Sequence, residues 1–219
     1  MNKGKTIQIF LPDGNPRGVR IADITRGTIK CLSIPRSNLK SGYKRQELNN
    51  VGIYFLIGIS DEGKDQAYIG EAENCLKRIK QHNQSKDFWN IVLALVSKTD
   101  FFTKSHIKYL EWLCHKKAME TNRFVLQNST NPTKPHISES LEADLLKDFE
   151  EIKLLVSSLG FPFFNSIHNK CYLSEKASTQ SNRKLFRLLK LFSLSSSVFF
   201  CKCYVVNWGS NSFSYFLVW

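Results

Sequence analysis

At 219 residues, with 42% hydrophobic and 23% charged residues, the chain is long enough for one domain of ordinary size plus a smaller appendage, and it can bury a core. Its formal net charge of +12 favours an anionic partner, with nucleic acid ahead of a membrane surface. The six cysteines include no CxxC pair, which argues against a zinc ribbon; no apolar run approaches the ~20 residues that span a bilayer, and Met1 to Asp13 carries no secretory pattern, so a cytoplasmic chain with reduced thiols is expected.

The charge is unevenly placed. Residues 1–50 hold ten Lys/Arg against three Asp/Glu, and residues 51–133 hold eleven against nine. Residues 134–169 reverse the sign, with three against six, and residues 170–219 return to seven against one. Four segments follow: a basic β-rich N-terminal part, a central domain, an acidic helical part and a basic tail.

In chain order, residues 5–24 predict a β-hairpin. Thr6 to Phe10 is strand-like, Val19 to Ile24 alternates with period two, and Pro12-Asp13-Gly14-Asn15-Pro16 supplies the turn angles between them. Residues 29–34 predict a third short strand, and residues 37–48 a weak helix. Val51 to Ile59 is almost continuously apolar, as suits a strand buried on both faces. A polar turn, Ser60 to Asp65, leads into a second strand over 66–70. Residues 71–83 predict a helix with Cys75, Leu76 and Ile79 on its apolar face. Residues 87–96 read as a buried strand, and Thr103 can cap a helix reaching about Glu120. Residues 123–127 form a short strand. Ser138 can cap the clearest helix, with Leu141, Leu145, Phe149, Ile152, Val156 and Leu159 along one face and Gly160 and Pro162 as its stop. The expected class is α/β: a small sheet flanked by helices and preceded by a β-rich segment.

Two tripeptides, Gly52-Ile53-Tyr54 and Tyr68-Ile69-Gly70, bracket the central hairpin. Alone, each reads as a buried tyrosine beside a glycine where another backbone comes close. Arg78 and His82 follow at i and i+4, hence on one helix face. Glu111 falls in the second helix, and Asn128 after a strand. Taken singly these have plainer readings: a solvated charge for Arg78, a packed ring for His82, an ion pair with Lys104 or Lys108 for Glu111.

As an ordered set, from Val51 to Asn131, they resemble the GIY-YIG nuclease family. The stretch between Tyr54 and Tyr68 is a few residues longer than that family's pattern, the excess falling in the polar turn. The resemblance implies a metal-dependent endonuclease hydrolysing DNA phosphodiester bonds, with Tyr54, Tyr68, Arg78, His82, Glu111 and Asn128 at the site. Glu111 would hold one Mg²⁺ or Mn²⁺, Arg78 a phosphate oxygen, and Tyr54 would be the general base. A phenol with an ordinary pKa near ~10 needs help from the metal or from Arg78 to serve near neutrality. Tyr68 and His82 would position or relay protons; Asn128 would steady the metal region, a place for which Asn131 is a rival. The alternative is a nucleic-acid-binding module that keeps the fold without catalysis. The tail from about residue 175, aromatic and serine-rich without a steady period, is expected to be no independently stable domain, and reads as a truncated or frameshifted beginning of one.

Overall fold

A computed structural model describes residues 4–165 of the chain; what the sequence suggests for residues 170–219 lies outside the described residues. Seven strands form one mixed sheet: β1 (Ile7–Phe10), β2 (Arg20–Ile24), β3 (Ile29–Pro35), β4 (Gly52–Ile59), β5 (Asp65–Ala72), β6 (Trp89–Ser97) and β7 (Val125–Leu126). Their spatial order is β1-β2-β3-β6-β4-β5-β7, antiparallel throughout except for the parallel pair β5–β7. Four helices accompany the sheet: a single turn α1 (Leu39–Gly42), then α2 (Cys75–Ser85), α3 (Lys104–Thr121) and α4 (Glu139–Ser158). None of the described helices is long and apolar enough to cross a membrane.

The continuous apolar run of β4 is explained by its neighbours on both faces. Ile53, Phe55 and Ile57 point to one face, where Ile107, Leu110 and Cys114 of α3 and Phe149 and Ile152 of α4 complete a core. Tyr54 and Leu56 point to the other, packing with Leu39, Leu48, Cys75, Ile79 and Trp89. β6 is wedged between β3 and β4 and pairs antiparallel with both. The basic N-terminal hairpin therefore shares its sheet with residues 51–133. Such a long-range pairing has no local signature in the sequence.

Several boundaries differ from expectation for physical reasons. α2 begins at Cys75 rather than 71 because Glu71 and Ala72 still pair with Ile53 and Gly52; the helix starts only after Asn74, whose Oδ1 accepts the Lys77 N–H at 2.8 Å. Residues 37–48 break into α1 and two 3-10 turns, Arg36–Asn38 and Gln46–Asn49. The strand expected over 123–127 is only Val125–Leu126, paired with Gln66 and Ala67. α3 and α4 follow Thr103 and Ser138 as anticipated, and Gly160, at φ +99°, takes the left-handed position that ends the last helix. α4 is fastened to the β2–β3 turn, where the Thr28 N–H donates to Glu151 Oε2 at 2.9 Å and the Thr28 hydroxyl to Asp148 Oδ1 at 3.0 Å.

At Gly58 the β4–β6 register shifts, and an added Cβ would overlap the carbonyl of Phe88. Gly58→Ala is therefore expected to destabilise the fold by about 1–3 kcal/mol through overpacking. Urea denaturation of the variant beside wild type checks this; an unchanged midpoint would show that the bulge has room.

Candidate active site

The pairing of β4 with β5 sets Tyr54 directly opposite Gly70 and Leu56 opposite Tyr68. Side chains on one face of a sheet recur every second residue, so both tyrosines point to the α2 side. A Cβ on Gly70 would overlap the Tyr54 hydroxyl, so glycine is needed there for the phenol to lie across the strand. A Cβ on Gly52 would overlap Leu95 O. The glycines of both tripeptides thus mark close approaches. The two tyrosine rings stack with centroids 6.1 Å apart.

The Asn74 cap fixes where α2 begins, and with it which residues overhang the tyrosines. Arg78 and His82, one turn apart, do so. His82 Nε2 lies 2.8 Å from the Tyr54 hydroxyl, and its ring centroid is 5.2 Å from that of Tyr68. Arg78 Nε donates to the Tyr54 oxygen at 3.4 Å, while Arg78 Nη1 donates to Gln81 Oε1 at 3.2 Å. Which of Tyr54 and His82 donates follows from the imidazole tautomer, and His82 Nδ1 is buried without a hydrogen-bond partner among the described residues. The chain of contacts runs from inside to outside: Tyr54 is 0% exposed and His82 5%, Tyr68 is half-buried, and Arg78 is exposed. On the far side of Tyr68, Lys86 Nζ sits 4.7 Å from the ring centroid.

Burial governs the protonation states. It raises the Tyr54 pKa well above the ordinary phenol range; Tyr68 adds to this, and Arg78 pulls the other way without prevailing. The help that the sequence reading sought from Arg78 is thus outweighed, and Tyr54 remains a neutral phenol. Burial also pushes His82 down to about 4, with Arg78 and Lys86 as further causes, so its imidazole is neutral at ordinary pH.

Glu111 comes from the opposite face. It lies half-buried on α3 in a depression shared with Lys108, Asn131, Pro132 and Thr133. Among the described residues it forms no hydrogen bond or ion pair with the tyrosine–histidine–arginine group, although the Arg78 charge acts on it. Its pKa is pushed up to about 7, first by burial and then by Glu71; the Glu71 N–H, Lys108 and Arg78 oppose the shift. Lys104, a candidate partner for Glu111, pairs with Glu73 instead.

β5 stands next to the edge strand of the sheet. β7, that edge strand, covers β5 at Gln66 and Ala67. Beyond it, Asn128 stands in for a strand, its Oδ1 accepting the Ile69 N–H at 3.1 Å and its Nδ2 donating to Ile69 O at 2.7 Å. Asn128 therefore spends its amide on holding Tyr68-Ile69-Gly70, whereas Asn131 shares the depression with Glu111. Two residues escaped the sequence reading. Glu71 follows Gly70 and, by strand alternation, shares the α3 side with Ile69; carrying β5 two residues further would have found it. Lys86 lies one turn beyond His82 and was visible as such.

Among the described residues no three His, Cys, Asp or Glu side chains gather as a metal cage. The repelling carboxylates Glu111 and Glu71 do suit a hard divalent cation that keeps most of its water shell. Comparison with family models, with curated proteins and with solved structures finds no match to this chain.

The raised Glu111 pKa has a consequence for stability. The folded chain keeps this proton up to about 7, while the unfolded chain releases it near the ordinary glutamate value of 4.5. Stability from this group is therefore lost as pH rises through that window. In EDTA, Glu111→Gln is expected to be more stable than wild type at pH 8 by about 1–2 kcal/mol, allowing for solvent screening, with a smaller gain at pH 5. Thermal unfolding at the two pH values checks this, and an equal effect at both would refute the raised pKa.

Proposed function

We propose that this chain is a metal-dependent endonuclease of the GIY-YIG type that hydrolyses DNA phosphodiester bonds. The observation that carries the reading is the hydrogen-bonded series Arg78–Tyr54–His82 beneath an exposed guanidinium. The same residues were singled out by the sequence resemblance. The reading sets the enzyme in a reducing cytoplasm, to which the buried free thiols Cys31, Cys75 and Cys114 are suited.

In this mechanism Arg78 holds a non-bridging phosphate oxygen through the guanidinium N–H groups that face solvent. Because Tyr54 is buried beneath Arg78, the attacking water reaches and hydrogen-bonds to the Tyr54 oxygen as Arg78 swings out onto the phosphate. As the water oxygen bonds to phosphorus, its proton passes to Tyr54 while the phenolic proton moves to His82 Nε2, whose low pKa keeps the lone pair available. Tyr68 walls the site and orients both partners. The bond from phosphorus to the leaving oxygen breaks, and that oxygen takes a proton from solvent. Glu111, with Glu71 beside it and Asn131 at its rim, would hold Mg²⁺ or Mn²⁺, which when bound supplies Lewis-acid stabilisation of the charge on phosphate and leaving group.

Plasmid nicking in Mg²⁺ or Mn²⁺, beside a mobility shift on the same DNA, tests the proposal. Tyr54→Phe keeps the ring but ends the relay, and is expected to slow cleavage by about 10²–10⁴-fold with metal binding intact. Glu111→Gln is expected to abolish metal-dependent cleavage while DNA binding persists. Below pH 7 wild type is expected to need more Mg²⁺, because protons compete for Glu111. Wild type that binds DNA and cleaves nothing under any metal would leave a binding module in place of the enzyme.

A further inference from the structure

The sheet separates the charges of its two sides. On the α3–α4 side most lysines meet a carboxylate: Lys117 with Glu120 at 2.7 Å, Lys134 with Glu142 at 2.8 Å and Lys147 with Asp144 at 3.0 Å, while Lys108 and Lys116 form no ion pair among the described residues. On the α1–α2 side the exposed lysines have none. Lys40, Lys44, Lys77 and Lys80 are exposed, and none forms an ion pair among the described residues. The carboxylates at the border are already engaged: Glu47 by Lys30 and Arg45, Asp87 by Arg36, Glu73 by Lys104, and Asp13 by the Ser41 hydroxyl. α2 itself has no acidic residue.

Lys40 lies on α1, Lys44 two residues past its end, and Lys77 and Lys80 on α2. Lys80 Nζ lies 5.1 Å from the Tyr43 ring centroid, joining α2 to the end of α1, and Arg36 Nε donates to Asn83 Oδ1 at 3.0 Å beneath them. Arg78 opens from the same helix.

We infer that the outer surface of α1 and α2 is where a DNA duplex lies, its phosphates against Lys40, Lys44, Lys77 and Lys80, leading one strand to Arg78. The inference rests on the nuclease reading and names how its substrate is held. Unmatched lysines complement a polyanion, and backbone contacts of this kind position without reading sequence. A membrane surface fits poorly, because an interfacial helix needs exposed apolar residues. Cys75 and Ile79 of α2 are buried, and the exposed large apolar side chains of the described residues lie on other elements. Single strands fit poorly too, since their bases stack on free aromatic faces. Here Lys80 covers Tyr43 and Lys86 covers Tyr68.

The test is fluorescence anisotropy of a labelled 30-base-pair duplex with the full chain in EDTA, across a salt series. Lys40→Gln/Lys44→Gln and Lys77→Gln/Lys80→Gln are each expected to shrink the slope of log K against log salt by about two, roughly one per lysine. Lys117→Gln/Lys147→Gln, on the matched side, is expected to leave it unchanged. Slopes equal to wild type in both α1 and α2 variants, an equal loss in the matched-side variant, tighter binding to anionic vesicles than to duplex, or no duplex binding at all would each overturn the inference. Cleavage of the same duplex in Mg²⁺ reads the nuclease proposal separately. Cleavage with unchanged slopes sinks the surface alone, and changed slopes without cleavage sink the enzyme alone.

Discussion

The site depends on the absence of one carbon atom. Tyr54 is paired with Gly70 across β4 and β5, and only glycine leaves room for the phenol to cross the neighbouring strand and reach His82 on α2. The constraint also fixes Tyr68, two residues earlier on the same face, and the stacking of the two rings. α2 must then start where Asn74 caps it, since a shift of one residue would turn Arg78 and His82 by about 100° away from the tyrosines. Hairpin register, helix cap and side-chain contacts are one geometrical statement.

The same alternation divides the candidate chemistry between two faces. Tyr68 and Gly70 look toward α2, while Ile69 and Glu71 look toward α3 and Glu111. A central strand would seal one group from the other. β5 is nearly an edge strand, because β7 covers only its first turnward residues and Asn128 replaces the missing partner at Ile69. The Arg78 charge is felt at Glu111 across this part of the sheet.

A continuous apolar run made β4 legible and the polar turn after it announced β5, i, i+4 spacing put Arg78 beside His82, and Thr103 and Ser138 announced α3 and α4. Each is a local signal. What escaped was non-local. The insertion of β6 between β3 and β4 merges the N-terminal hairpin into the central sheet, and nothing within either segment encodes it. The extension of β5 to Ala72 depends on pairing with Gly52, so a helix expected from residue 71 hides the neighbourhood of Glu71 with Glu111. Asn128 was read by its position in a motif, but its bonds to Ile69 belong to the strand edge.

Burial sets a tension inside the site. Desolvation raises Tyr54 and lowers His82, so proton transfer from phenol to imidazole is strongly uphill. Of the charges that depress His82, Arg78 is the leading one. Under the proposed reading, a phosphate bound by Arg78 neutralises that charge and brings negative charge near His82, and both changes raise the imidazole's basicity. A cation beside the attacking water lowers the cost of removing its proton. On that proposal, substrate and metal would act on opposite ends of one relay, and proton transfer would become feasible only with both in place, tying turnover to a correctly placed phosphodiester.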